Sequence, residues 1–374
     1  MSFLYALLSF FSRTANLVAF VLLIISVAAA YVNPDLLWPL SLFGLAYPVF
    51  LLLNIFFVIS WILRGRWFFL FSLLGILLSY PQLKAQYGFN FFASDDDVTP
   101  DLRVMSYNVR NFDLYNWSKN ERSRKSMMDT IQATNPDVLF LQEYYTDGNK
   151  FKNKQYLDSL GYKYHVEAIE LVKKETRKWG VALFSKHPIL ESGELIRQQL
   201  PSPYGEFPNR GVYADIHING KTIRFITVHL QSIHFGEEDY NTIQEIKEEQ
   251  PSQIRKYLPI AQKLVRAYMQ RGVQAAELRT FIEASPHPVI LGGDFNDTPS
   301  SFTYRQIDEI LTDAFIQKGK GTGSTYNGII PFLRIDYIFI DPSFRATYFK
   351  VNSIPASDHF PLVADISLSN VKEE

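Results

Sequence analysis

The sequence predicts an α+β fold in which two β-sheets pack as a sandwich flanked by helices, preceded by an apolar helical region. Three observations predict it. Short β-rich runs recur from Leu102 to the end of the chain, helical patterns separate some of them, and the composition changes abruptly near residue 94. Strand runs punctuated by helices, with several chances for antiparallel hairpins, favour a layered sandwich with helices outside.

Residues 1–94 carry four basic side chains (Arg13, Arg64, Arg66, Lys84) and one acid (Asp35), whereas the remaining 280 residues carry 33 basic and 37 acidic groups. The first composition is that of a membrane region and the second that of a soluble domain. The expected boundary is the acidic stretch Ser94 to Pro100, giving regions 1–94 and 95–374. Ala15 to Val32 and Pro39 to Leu63 are uncharged and long enough to cross ~30 Å of hydrocarbon. Trp67 to Tyr80 is a third, shorter apolar run. The expectation is three transmembrane helices in a multi-pass protein. Basic residues flanking the spans place the N-terminus and Arg64–Arg66 in the cytoplasm, and three spans then put the second domain outside it. Two spans would leave that domain in the cytoplasm. The alternative, a signal peptide cleaved after Ala28-Ala29-Ala30, lacks a basic start and is followed directly by a second apolar run.

The chain has no cysteine, which excludes disulfides, thiolate catalysis and Cys-ligated zinc. Its formal net charge of -1 points at no partner. In order, Leu102 to Val109, Asp137 to Gln142, Gly180 to Phe184, Val212 to Ile218 and Thr222 to Leu230 read as strands. So do Val289 to Gly292, Ile335 to Ile340 and Leu362 to Ser367. Helical patterns cover Lys119 to Thr134, stopped by Asn135-Pro136, then Ile254 to Arg271 and Gln274 to Ala284. Glu237 to Gln250 is charge-rich and reads as a solvated excursion.

Polar residues recur just past these strand ends: Asn108, Glu143, His229, Asp294 with Asn296, Asp336, and Asp358-His359. Each alone has a bland explanation, since Gly, Asp and Asn are turn formers. Asp336 is less bland, because an acid inside Ile335-Asp336-Tyr337-Ile338 must find a partner or pay several kcal/mol of desolvation. Six such positions, each at a strand end, exceed what turn chemistry requires.

Taken in order, Ser106-Tyr107-Asn108-Val109, Leu141-Gln142-Glu143, Gly180 to Lys186, Thr227-Val228-His229-Leu230, Gly293-Asp294-Phe295-Asn296, Arg334-Ile335-Asp336-Tyr337 and Ser357-Asp358-His359 resemble the successive motifs of the endonuclease/exonuclease/phosphatase superfamily. The resemblance spans roughly Asp101 to Ser367 and implies a DNase I-like fold and Mg²⁺-dependent phosphoester hydrolysis, with Mn²⁺ as an alternative ion. It implies Glu143 as principal metal ligand, Asp358 as a second, and Asn108 orienting the metal and phosphate. It further implies Asp294 as the base for the attacking water, Asn296 and His229 as phosphate donors, and His359, held by Asp336, as donor to the transition state or leaving oxygen. Arg210 falls where some members carry a phosphate-contacting arginine. Arg110 stands where some nucleases of the family carry a further acid, which favours one metal over two. Asp297 reads as a turn residue.

The substrate is open at this stage. A slightly acidic domain without a Lys/Arg stripe disfavours nucleic acid, whose binding rests on phosphate neutralisation. Membrane tethering, and a His229-Leu230-Gln231 that resembles the His-x-Gln of sphingomyelinase-like members, favour a lipid headgroup or other envelope phosphoester. An extracytoplasmic nuclease and a catalytically silent binding module are the alternatives.

Overall fold

The computed structural model describes residues 2–91, 99–173, 176–195, 210–233, 258–328 and 332–369. The chain begins with six helices: α1 (Ser2–Ala28), α2 (Pro34–Leu37), α3 (Pro39–Leu45), α4 (Tyr47–Leu63), α5 (Phe69–Leu78) and α6 (Tyr80–Gln86). Helices α1, α4 and α5 pack on one another around Leu23, Tyr47 and Leu51. Asn16 and Ser72 bond side chain to side chain across the bundle at 2.5 Å, and Asn54 donates to the Ala19 carbonyl at 2.9 Å.

This region corrects the three-span expectation. Among the described residues only one unbroken helix, Leu7–Ala28, is long and apolar enough to cross a membrane. The stretch Pro39 to Leu63 is broken at Ala46, where α3 and α4 meet with a bend of 60°. Pro48 follows the break, where its missing N–H costs a helix nothing. Helix α5 has 10 residues, too few for ~30 Å at 1.5 Å per residue. A multi-pass arrangement is therefore not supported, and the sidedness deduced from counting three spans falls with it.

The second region follows as strands and helices: β1 (Gly88–Phe89), β2 (Leu102–Asn108), α7 (Ser123–Thr134), β3 (Val138–Thr146), α8 (Asn153–Ser159), β4 (Tyr164–Lys173), β5 (Arg177–Ser185), β6 (Ile189–Leu195), β7 (Gly211–Ile218) and β8 (Lys221–His229). Then come α9 (Leu258–Glu283), β9 (Val289–Asp294), α10 (Phe302–Asp308), β10 (Thr312–Asp313), α11 (Ala314–Lys318), β11 (Lys320–Gly321), β12 (Asp336–Ile340), β13 (Arg345–Val351) and β14 (Leu362–Ser367). The acidic part of the expected linker, 95–97, and the excursion Glu237 to Gln250 lie outside the described residues. So do Ile254 to Tyr257 at the start of a predicted helix.

Two six-stranded mixed sheets form the expected sandwich, in the orders β10-β12-β9-β8-β7-β6 and β13-β14-β2-β3-β5-β4. Each holds one parallel pair, β8/β9 and β2/β3, so the carboxyl ends of four strands point the same way within their sheets. The shared core interleaves Val104, Val138, Phe140 and Leu183 of one sheet with Ala214, Phe225, Ile290 and Ile338 of the other. Burial of this kind stabilises by roughly 25 cal/mol per Å² of apolar surface. The glycine pair before Asp294 has a packing cause. A Cβ on Gly292 would sit 2.3 Å from the Phe140 ring of the facing sheet, and one on Gly293 2.1 Å from the Val228 carbonyl oxygen.

Helix α9 corrects another expectation. The two patterns flanking Gly272 form one continuous helix, and Gly272 lies where a Cβ would come within 3.3 Å of Pro34. The first region thus docks on the second. Gly44 meets the Ser300 carbonyl, Arg305 stacks on Tyr31 at 5.1 Å, and Arg334 donates to the Ala85 carbonyl at 2.6 Å. β1 then pairs with β11.

Candidate active site

The strand ends converge as the topology dictates. β2 ends at Asn108 beside Gln142 of parallel β3; β8 ends at His229 beside Asp294 of parallel β9; antiparallel β12 begins with Asp336 opposite Asp294. One rim of the sandwich therefore collects polar groups from both sheets. Glu143 is aimed there by local geometry. It has a φ of 47°, and it lies in the register shift between Leu141 and Tyr144 where β3 pairs with β5. A bulge of this kind re-aims a side chain at a sheet margin.

Asn108 bridges the two sheets, its side-chain amide donating to Glu143 Oε1 at 3.2 Å and to Asp294 Oδ2 at 3.0 Å. Asp294 Oδ1 accepts the backbone N–H of Asn296 at 2.8 Å, which fixes its carboxylate plane. His359 Nδ1 lies 2.9 Å from Asp336 Oδ2, and the ring's Nε2 lies 3.7 Å from Asp294 Oδ2. His229 Nε2 stands 3.7 Å from the same oxygen and has no hydrogen-bond partner, although it is buried. Asp358 reaches Arg110 at 3.1 Å, and that guanidinium packs over Trp117. Seven expected residues are thereby brought together: Asn108, Glu143, His229, Asp294, Asp336, Asp358 and His359.

Two others are placed differently. The Asn296 amide donates one of its two hydrogens to the Leu230 carbonyl at 3.0 Å, at the β8 end. The Arg210 guanidinium donates to Glu194 at 2.6 Å, while its carbonyl accepts the His229 N–H at 3.0 Å. Asp297 is buried and pairs with fully buried Arg271 at 3.2 Å, a structural role that a turn residue need not have. Sequence reasoning missed Glu170, on the unpredicted strand β4. It also missed Tyr326, whose backbone bridges His359 and whose ring contacts the imidazole edge-on at 5.2 Å. No periodic or motif signal marks either residue.

The electrostatics divide the rim in two. Burial disfavours charge on His359, but Asp336 and Asp294 overcome it and hold the imidazole well above its ordinary range, as an imidazolium. Burial lowers His229, so the two rings differ in charge. On the other side Glu143 is pushed up to about 7 by burial and by the like charges of Asp358 and Asp294, against the pull of His359 and Asn108. Glu170 is pushed up to about 8, by burial first and then by Glu143. Burial and Asp336 raise Asp294 as well.

This pattern tests where a cation fits. Asp294, Asp336 and His359 place donor atoms within 4.8 Å of one another, yet both ring nitrogens already face carboxylates and the imidazolium supplies the positive charge there. The deficit lies instead at Glu143. Carboxylates crowd it, while the Asn108 amide turns its N–H toward Glu143 and its oxygen accepts the Arg110 N–H at 3.0 Å. The oxygens of Glu143 and Asp358 are the hard donors that Mg²⁺ prefers. Those residues fit a divalent ion.

A sandwich whose rim joins a buried acid–imidazole pair to a carboxylate cluster defines the class: a DNase I-like hydrolase fold. The chain belongs to the endonuclease/exonuclease/phosphatase family, whose profile matches residues 105–359. Members hydrolyse phosphoester bonds and generally use divalent metals. Residues 7–86 match a separate domain of unknown function (DUF8431). Similar structures include an endonuclease/exonuclease/phosphatase from Bacteroides vulgatus (19% identity, TM-score 0.52, 72% of this chain and 100% of that one). The human Nocturnin catalytic domain with bound sulfate is also similar (19% identity, TM-score 0.51, 72% and 93%). A third is an endonuclease/exonuclease/phosphatase from Beutenbergia cavernae (19%, 0.50, 72% and 72%). At this identity they share the fold. No functionally curated protein matches the chain.

Proposed function

We propose that the protein is a membrane-associated, Mg²⁺-dependent phosphoester hydrolase acting on a lipid or other envelope phosphoester by in-line attack of water. The observation that carries the reading is the Asp336–His359–Asp294 chain lying beside the Asn108–Glu143 pair. Asp294, its plane fixed by the Asn296 N–H, takes one proton from the attacking water as the oxygen–phosphorus bond forms. His359, an imidazolium anchored through Nδ1 by Asp336, offers Nε2–H to the developing charge and then to the departing oxygen. His229 offers a second donor in its N–H tautomer, and Asn108 holds both carboxylates in register. A divalent ion at Glu143 and Asp358 supplies Lewis-acid stabilisation of phosphoryl oxygens when bound.

Membrane association rests on the first region. Phe10, Phe11, Leu52, Phe56, Ile59, Leu74 and Leu77 project outward and exposed from α1, α4 and α5. Apolar surface on this scale marks a lipid or protein contact in a soluble-looking chain. The docking contacts at Ser300, Arg305 and Arg334 follow Asp294 or precede Asp336 closely in sequence, which ties that apolar surface to the sheet carrying the site. Purified full-length protein in detergent and in vesicles, with Mg²⁺ and with EDTA, tests the reading against bis-p-nitrophenyl phosphate, phospholipids and plasmid DNA. Mg²⁺-dependent turnover of an ester or lipid is expected. Plasmid nicking without lipid or small-ester turnover overturns the substrate, and silence on every phosphoester overturns the reaction.

A further inference from the structure

The face that α9 turns to the sheet changes character along its length. Leu278 and Ile282 pack with Ile226 and Val228 of β8 and Leu291 of β9. Toward the carboxyl ends of those strands the same buried stripe continues as Gln274 and Arg271, both 0% exposed. Burying an amide and a guanidinium there costs free energy unless each finds a partner.

Both find the same one. Gln274 Oε1 accepts the Gln231 backbone N–H at 2.9 Å, and Arg271 Nη1 donates to the Gln231 carbonyl at 3.1 Å. The two backbone polar groups of one residue are thus taken by side chains three positions apart on one helix, in place of a neighbouring strand. Arg271 also sets Nε 3.2 Å from Asp297 Oδ2, with its Cζ 4.5 Å from the centre of the Tyr268 ring. The intervening backbone is tied as well. The Leu230 N–H donates to the Asp294 carbonyl at 2.9 Å, and the Asn296 amide donates to the Leu230 carbonyl at 3.0 Å. Next to Arg271, Gly272 abuts the first region, where a Cβ would lie 3.3 Å from Pro34 Cδ and 3.4 Å from Asn33 Oδ1.

We infer that Arg271 and Gln274 are positioning residues of the active site. They clamp the exit of β8 against the exit of β9, so that His229 Nε2 keeps its 3.7 Å approach to Asp294 Oδ2. They act through Gln231, two residues after His229, and through Asp297, three after Asp294. The inference rests on the phosphoester-hydrolase reading and names the groups that hold its geometry. A misplacement of about 1 Å costs roughly 100-fold in rate, so loss of the clamp shows in kcat rather than in KM.

Two changes at one position separate the clamp from simple packing. Gln274→Glu keeps the acceptor oxygen, and the Nε2 it removes has no partner among the described residues. Gln274→Met keeps length and packing and removes the acceptor. A side chain that only filled space would tolerate the methionine and reject a buried charge; the clamp requires the reverse order. With bis-p-nitrophenyl phosphate and Mg²⁺, full-length Gln274→Met in detergent is expected to lose about 10–100-fold in kcat with KM within about twofold. Gln274→Glu is expected to keep kcat within about threefold. Arg271→Lys keeps one charge for Asp297 but loses the fork that also reaches Gln231, so it is expected to lose about tenfold or more in kcat. It carries the test if Gln274→Met does not fold. Amide exchange on metal-free protein, read by mass spectrometry, is the second measurement. Segments 229–233 and 294–298 should exchange about tenfold faster in Gln274→Met than in the parent, and at the parent rate in Gln274→Glu. A kcat within about threefold of the parent in Gln274→Met or Arg271→Lys overturns the inference, as does Gln274→Glu no faster than Gln274→Met, or a loss confined to KM. Failure of the hydrolase reading looks different: the unmodified protein turns over no phosphoester, while amide exchange still separates Gln274→Met from Gln274→Glu.

Discussion

Replacing Arg334 by methionine tests the buried contact set that joins the rim beside Asp336 to α6 of the first region. The guanidinium is 1% exposed and donates to Asp313 Oδ2 at 2.7 Å and to the Ala85 carbonyl at 2.6 Å. Asp313 is itself 0% exposed. Removing one partner of a buried pair typically costs about 3–5 kcal/mol, because the other charge stays buried. Here Asp313 keeps the Tyr304 hydroxyl and the Phe315 N–H, both at 2.9 Å, which moves the cost to the lower end. The orphaned Ala85 carbonyl adds about 1 kcal/mol. The expected loss is about 3–4 kcal/mol, read as a lower urea midpoint of the full chain at an unchanged slope. Adding Asp313→Leu should recover about half of it, since an apolar pair of similar volume is often neutral while the helix cap at Ala314 is lost. A single variant within about 1 kcal/mol of the parent would refute the argument, as would a double variant no better than the single.

Asp336→Asn keeps the shape and removes the charge that holds His359 protonated. A charge-assisted bond is worth roughly 1.5–3 kcal/mol, so the alkaline limb of kcat/KM should move down by about 1–2 pH units. An unmoved limb would show that His359 does not set it. Glu143 is a carboxyl raised from 4.5 to about 7, so its contribution to stability is full below pH 4.5 and is lost as pH rises through 7. Metal-free protein should therefore lose thermal stability between pH 5 and pH 8, and Mg²⁺ should flatten that slope in the parent but not in Glu143→Gln. Equal slopes with and without Mg²⁺ would place the ion elsewhere. Gly292→Ala should cost about 1–3 kcal/mol by overpacking Phe140, with Phe140→Leu partly relieving it in the double variant. Additive effects of the two changes would refute the clash.

Much of the site was legible because it sits where strands end. Asn108, His229 and Asp294 close apolar runs of period and length typical of strands, and Asp336 advertised itself as an acid among apolar neighbours. Glu143 was legible as a motif, but its aim was not, since a left-handed residue in a bulge leaves no compositional trace. Strands β4, β6 and β13 escaped because their exposed faces interrupt the apolar pattern, as in Glu191-Ser192-Gly193-Glu194. Glu170 escaped with β4. Pro39 to Leu63 misled for a different reason. Hydropathy counts residues and is blind to a 60° break at Ala46.

The same break has a consequence for the catalytic region. A straight span through Ala46 would carry Gly44 along the bundle axis. The bend instead turns α3 aside so that Gly44 meets the Ser300 carbonyl, where any side chain would collide at 2.8 Å. Ser300 lies six residues after Asp294, and its neighbour Ser301 caps α10 by accepting the Tyr304 N–H at 3.1 Å. Tyr304 in turn bonds Asp313, the partner of Arg334, which stands two residues before Asp336. The residues that flank Asp294 and Asp336 are therefore packed against the apolar helices through one continuous set of contacts. A loop held this way loses less freedom when substrate binds, which is how pre-organisation raises transition-state stabilisation without a new contact to the substrate. On the hydrolase reading proposed above, the helices serve to fix the rim that carries Asp294 and Asp336.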